Sequence, residues 1–348
     1  MDTGTESGGG DAFAARVMKK AREVQHAAVQ SRAYEIGDGG PTTLDRGEEL
    51  AMYGTQTGKV TGGDVLPGSR GWKGLEEWYS WIPSIFEPFT KLPDPASFDP
   101  IISSFDLVIS QFGGHPDDPR GKRGDRIDST IWGNMDSVAN NVMKWHGRAA
   151  ATFDEFSDPF QYIPHNHCAL AHVLSQSTKA NQQIFKSARD DIFAIADAAI
   201  VALGGQTSSG GTDVSFNLTV VAAVAGFVAA VPSFGATLPI WFAAVAAGAA
   251  VGAELAPKGD NHKENKLAAN IRGNTTDTIL DSMVDSVKRF ERLVEQEEDK
   301  IVRILRSNLE VVNSKNSQAD IVAPRPDLAN LRSGEIDSKM GPPLGRPN

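Results

Sequence analysis

Leu280-Asp-Ser-Met283-Val-Asp-Ser-Val287-Lys-Arg-Phe290-Glu-Arg-Leu-Val294 is the stretch on which the fold class turns. Its apolar residues recur at alternating steps of three and four, and Ile301, Ile304 and Val311 carry the rhythm onward. That is the seam of a helix packed along its length on other helices. Glu297 and Asn308 interrupt the seam. Asp285, Lys288, Arg289, Glu291, Arg292, Glu295, Glu298, Asp299, Lys300 and Arg303 make an outer face that reads as a solvated, salt-laced surface, not a catalytic carboxylate pair. The spacing predicts one helix over about 262–312, within a segment 258–315. A seam this long needs partner helices, and two precede it. Ile127, Ile131, Met135, Val138, Val142, Trp145 and Ala149 form one stripe from about residue 125. Leu170, Val173, Leu174, Ile184, Ala188, Ile192, Ile195 and Ala199 form another over about 166–203, closed by Gly204 and Gly205 as C-cap residues. The fold class expected is all-α: a long antiparallel helical bundle.

Between these helices lies the most unusual part of the chain. Residues 214–253 contain no Asp, Glu, Lys, Arg or His. After a Gly/Ser/Thr linker over 206–215, the run 218–231 is nearly all apolar and includes Gly226 and Ala229. Pro232, Gly235 and Pro239 divide it from a second run, 240–253, with Trp241, Gly248 and Gly252. The 206–257 segment therefore reads as a linker and a helical hairpin apolar on every side, and such helices are buried in protein or in lipid. Each arm would be roughly 21 to 26 Å long at ~1.5 Å per residue, short of the ~30 Å hydrocarbon core of a bilayer. Gly248 and Gly252 form a small-xxx-small pair that packs helices closely in either setting. Arm length favours burial within the bundle, narrowly, over insertion into a membrane.

The flanks are different in kind. Residues 1–75 read as a flexible Gly-rich arm with one short amphipathic helix over about 12–33, whose stripe is Phe13, Val17, Ala21, Val24 and Ala28. Gly58-Lys59-Val60 lacks the Ser or Thr and the first glycine of a phosphate loop, which excludes that reading. Residues 76–124 hold Trp78, Tyr79, Trp81, Phe86, Phe89 and Phe98 among Pro83, Pro88, Pro93, Pro95 and Pro100. Prolines at this density prevent a long helix, so with Trp72 these aromatics form an irregular arm against the bundle or, alternatively, a ligand groove. A short helix over about 98–112 follows, with Ile101, Phe105, Val108 and Ile109 on one face. Residues 316–348 are polar and Pro-rich, a disordered tail.

The net charge of -10 and the lack of any dense Lys/Arg block argue against nucleic acid as a partner. The single Cys168 excludes an internal disulfide framework and reads as a buried thiol. His165, His167, Cys168 and His172 are the candidate metal ligands, Cys168 and His172 one helical turn apart, but the spacing matches no recurrent zinc pattern and a polar helix start is the expectation. No nucleophile, base or cofactor motif stands out, so the chain is expected to be non-enzymatic and without cofactors.

Trp145-His146-Gly147, then Ala149-Ala150, Phe153 and a long helix containing Ser187-Ala188-Arg189-Asp190-Asp191-Ile192, resembles the WXG100-like, or ESX-type, proteins of actinobacteria over about 125–205. The resemblance implies a helical hairpin with the motif at its turn, Trp145, Gly147 and Phe153 serving packing, and type VII secretion of a protein that binds other helices. The turn is longer here, carrying Pro159 and Pro164. Residues 1–11 have neither the basic nor the apolar region of a Sec signal. The expected location is therefore outside the cell or in its envelope by a signal-independent route, with the cytoplasm as the alternative. The expected action is binding to a protein partner or to itself, with a membrane-active hairpin over 217–256 as the alternative.

Overall fold

The computed structural model describes residues 8–37, 65–112, 129–142, 153, 163–205, 211–220 and 267–313. Seven α-helices are described: α1 Gly8–Gly37, α2 Arg70–Trp78, α3 Ile82–Phe86, α4 Asp99–Gln111, α5 Ser129–Val142, α6 Ile163–Gly205 and α7 Thr276–Asn313. Two strands, β1 Thr212–Leu218 and β2 Leu267–Gly273, pair antiparallel. The described fold is thus mostly helical, and the all-α expectation is corrected by a two-stranded ribbon. The ribbon lies where a linker and the start of the last helix were expected. Val214, Phe216 and Leu218 alternate with Asp213, Ser215 and Asn217, a period of two that a helix cannot use.

The chain divides into two compact units. The first draws on Met1–Ser97, Asn181–Val224 and Asp260–Asp299. Within it, α1 is longer than the short helix expected, because its apolar stripe continues through Val29 and Ile36 after Phe13, Val17, Ala21, Val24 and Ala28, all of them buried. It packs on α2, α3 and a 3-10 turn over Glu87–Lys91. The Pro-rich stretch is accordingly a chain of short helical pieces. Pro83 and Pro88 sit in first turns, where a missing N–H costs nothing. Ser69 caps α2, its Oγ accepting from Trp72 N at 3.0 Å, just after Gly68 turns the chain at φ +85°. Trp72, Tyr79, Phe86 and Phe89 are buried, which places these aromatics in the core. Phe89 meets Phe290 of α7 at 5.5 Å between ring centroids.

The seam of α7 is buried as its spacing predicts: Leu280, Met283, Val287, Phe290, Ile301 and Ile304, and also the polar Glu297 and Asn308. The helix starts at Thr276, later than expected, because β2 occupies the preceding residues. Thr275 and Thr278 cap it reciprocally, each hydroxyl accepting from the other's backbone N–H at 3.3 and 3.0 Å.

The second unit draws on Phe98–Ala180, Ala225–Gly259 and Lys300–Asn348. There α4 buries Ile102 and Ile109 and leaves Ile101 and Val108 exposed, so the stripe expected at 101, 105, 108 and 109 is rotated. Asp106 explains the rotation. It accepts from Ser175 Oγ at 2.8 Å and pairs with Lys179 Nζ at 3.3 Å, both on α6. Along α6, Val173, Ile184, Ala188, Ile192, Ile195 and Ala199 are buried as expected, while Leu174 is exposed.

Candidate functional site

The ribbon governs how residues 219–266 join the fold. Leu218 pairs with Leu267 at its open end and Thr212 with Gly273 at the other. Directly opposed residues of an antiparallel pair stand roughly 4.5 to 5.5 Å apart. The two residues that bound the stretch between the strands, Leu218 and Leu267, are therefore held side by side. Val214 lies opposite Ile271, Phe216 opposite Ala269 and Leu218 opposite Leu267 on the covered face, with Ser215 and Asn270 paired on the exposed one.

Each end of the ribbon is seated on the helices by close approach. A Cβ on Gly273 would lie 2.7 Å from Ile279 N and 2.5 Å from Thr278 Oγ1, so only glycine fits where β2 turns into α7. Gly205 has a similar duty at the end of α6, where a Cβ would come 2.7 Å from Thr212 Cγ2. The helix ends at Gly205 as expected, though the backbone there is not left-handed. Thr212 Oγ1 donates to the Ala202 carbonyl at 3.2 Å, satisfying one of the last carbonyls of α6.

Both strands are followed by a threonine resting on a carboxylate from a long helix. After β1, Thr219 N donates to Asp191 Oδ2 at 2.7 Å, Thr219 Oγ1 to Oδ1 at 2.9 Å and Val220 N to Oδ2 at 3.0 Å. After β2, Thr276 donates both its N–H and its hydroxyl to Glu35 Oε1 on α1. The two seats differ in electrostatic setting. Arg32 Nη1 stands 2.8 Å from Glu35 Oε2, in a pair whose side chains are only 10% and 15% exposed. Asp191 is 2% exposed, and among the described residues the charged group acting on it is Asp190, of the same sign. Burial pushes the Asp191 carboxyl above its ordinary value, its bonds to Val220 and Thr219 pull against that, and Asp190 adds to the rise.

A third feature is an open cleft of about 880 Å³ between α1 and the last turns of α6, floored by Met18, Ala27, Ile200 and Val201 and edged by Lys19 and Arg22. Lys20 at its rim bridges Glu23 at 2.8 Å and Asp197 at 2.9 Å, which raises the Lys20 pKa. Comparison of the chain with known protein families, with curated proteins and with solved structures returns no match.

The residues singled out from sequence fall into three groups. Cys168 is buried beside Ile109 and Ala171, as a packed thiol, and His172 is buried too. His167 points elsewhere, exposed and edge-on to Phe112 at 6.3 Å, while His165 lies in the first turn of α6. Among the described residues no three His, Cys, Asp or Glu side chains converge to hold a metal ion. Trp145 and Gly147 lie outside the described residues, as do Gly226, Ala229, Pro232, Gly235, Pro239, Trp241, Gly248 and Gly252, whereas Phe153 is described as partly buried. Among the described residues no helix is long and apolar enough to cross a membrane.

Asp191 escaped the sequence reading as a site, although a signal was there. It lies three residues after Ala188 and four before Ile195, so it sits within the apolar stripe of α6. A charge in such a position must be satisfied by something specific.

Proposed function

We propose that this chain is a non-enzymatic helical protein whose long helices form a bundle carrying the apolar stretch that follows β1, up to residue 253, to a lipid bilayer. The observation that supports this reading is the pairing of β1 with β2, which holds Leu218, at the start of the first apolar run, beside Leu267 on a folded support. A segment held in this way enters and leaves a membrane on one face, as two apolar arms joined through Pro232-Ser-Phe-Gly235. Arms of roughly 21 to 26 Å suit a bilayer thinned at the site of insertion. Burial of the stretch against the α7 seam is less favoured, because that seam already has Phe89 on Phe290.

Ala229→Lys separates the two. A lysine in the middle of a lipid-inserting arm leaves the soluble fold intact and abolishes flotation with liposomes. A lysine buried without a partner in protein unfolds or aggregates the chain in water. A variant that melts well below wild type, with wild-type protein that never floats, overturns the membrane reading.

A second reading rests on Trp145-His146-Gly147, which falls between α5 and α6 as the WXG motif falls between helices in the proteins it resembles. It makes the chain a type VII secreted protein that binds a helical partner or a second copy. Its test is the size of the chain purified without detergent, alone and from cells carrying a type VII system. A monomer under both conditions removes it.

A further inference from the structure

We propose that a second copy of this chain docks the acidic ridge Glu291, Glu295 and Glu298 of its α7 in the cleft between α1 and α6, against Lys19 and Arg22. The inference rests on the second reading above in taking a second copy as the partner, and adds the surface through which it binds. Both surfaces belong to the first compact unit. The cleft is a groove between two helices, and its floor keeps apolar surface open to solvent, Val201 being 60% exposed. The charges at its edge are unevenly engaged. Lys20 bridges Glu23 and Asp197, which are the two carboxylates among the lining residues. Lys19 and Arg22 are exposed and form no hydrogen bond or ion pair among the described residues. With His26 they make one ridge of α1, at steps of three and then four residues. An apolar floor beside unengaged cations suits a helix with an acidic edge.

The chain carries such an edge itself. Read toward the N-terminus of α7, Glu298, Glu295 and Glu291 also step by three and then four, and each ridge spans about 10.5 Å at ~1.5 Å per residue. Laid antiparallel, Lys19 meets Glu298, Arg22 meets Glu295 and His26 meets Glu291. The three glutamates form no hydrogen bond or ion pair among the described residues, and Glu298 sits partly buried beside the like charges of Glu295 and Asp299. Val294, the half-buried member of the seam, falls on one flank of this ridge and supplies apolar surface for the floor, while Lys288 and Arg292 fall on the other flank. Neither ridge is covered within one chain, and their registers match each other.

Sedimentation equilibrium of the full chain tests the pairing. Wild type should associate in a concentration-dependent way, and added salt should weaken that association, because the charge pairs lie at a solvent-accessible edge. Lys19→Glu with Arg22→Glu should weaken it about tenfold while helicity is retained, and Glu295→Lys with Glu298→Lys should do the same. Mixing the two double variants should bring association back to the wild-type level, since each then offers the charge that the other lacks. Lys19→Ala gives a milder check should a reversal unfold the chain, with an expected weakening of about threefold. Double variants or Lys19→Ala that associate as wild type does, or a mixture no tighter than either variant alone, overturn the ridge pairing and leave the second reading to another surface. A purified wild type that stays monomeric overturns the proposal as well, while the second reading survives if the chain from cells carrying a type VII system is larger.

Discussion

The seats of Thr219 and Thr276 use nearly the same hydrogen bonds in different electrostatic settings. In each, one carboxylate takes a backbone N–H and a hydroxyl from the threonine that follows a strand. The difference lies behind the carboxylate: Arg32 at one seat, Asp190 at the other. Geometry alone would score them alike. Charge separates them, because a buried ion pair is costly to break and a buried carboxylate without a counter-ion is costly to keep.

The largest expected effect lies at the Glu35 seat. Glu35→Ala removes the carboxylate 2.8 Å from Arg32 and leaves the Thr276 N–H without its acceptor, and should destabilise the chain by about 3 kcal/mol in urea unfolding. A loss below that of Asp191→Ala would reverse the comparison. Gly273→Ala comes next, at about 2 kcal/mol, since its methyl meets backbone at Ile279 and cannot be relieved by one side chain turning aside. The same melts on Gly204→Ala, where a Cβ meets nothing, should show little change. Asp191→Ala should cost about 1 kcal/mol, as the orphaned N–H groups are partly offset by removal of a buried charge. That loss should fall on the amides of Thr219 and Val220 without weakening the α7 seam.

The smallest effect is a dependence on pH. Because the folded carboxyl of Asp191 titrates above its unfolded value, the native state binds the extra proton between the two. Wild type should therefore lose stability as pH rises from about 4 through the raised folded value. Glu298 is also raised, by burial and by Asp299 and Glu295, so it adds a slope of the same sign. The difference in melting temperature between wild type and Asp191→Asn isolates the seat. A difference that does not change with pH would mean that Asp191 carries no burial penalty.

The helices were legible in the sequence where one face does all the packing. The α1 stripe is buried residue for residue, and the α7 seam at every described position except the half-buried Val294, because period 3.6 leaves no second interpretation over that length. On α4 the apolar residues nearly encircle the helix, so Asp106 reaching Ser175 and Lys179 set which face turned inward. The ribbon was missed for two reasons. Val214, Phe216 and Leu218 show the alternation, but beside the Gly/Ser/Thr run they read as linker, and Leu267-Ala-Ala-Asn-Ile271 suits a helix as well as a strand. Its pairing also joins residues separated by the whole apolar stretch, and local periodicity carries no trace of that. The Thr–carboxylate seats depend on such distant pairings, which is why only a charge misplaced in the α6 stripe pointed to one of them.

Seating both ends of residues 219–266 together also makes that stretch separable from the rest in an evolutionary sense. The entropy of closing a loop changes by only about 0.6 kcal/mol per doubling of its length. Insertions, deletions or wholesale exchange between Leu218 and Leu267 therefore put little strain on the ribbon or on the helices that bear it. The body can be held constant while the stretch between its two strands is rewritten, as happens to the loops of a scaffold whose frame and loops answer to different selection.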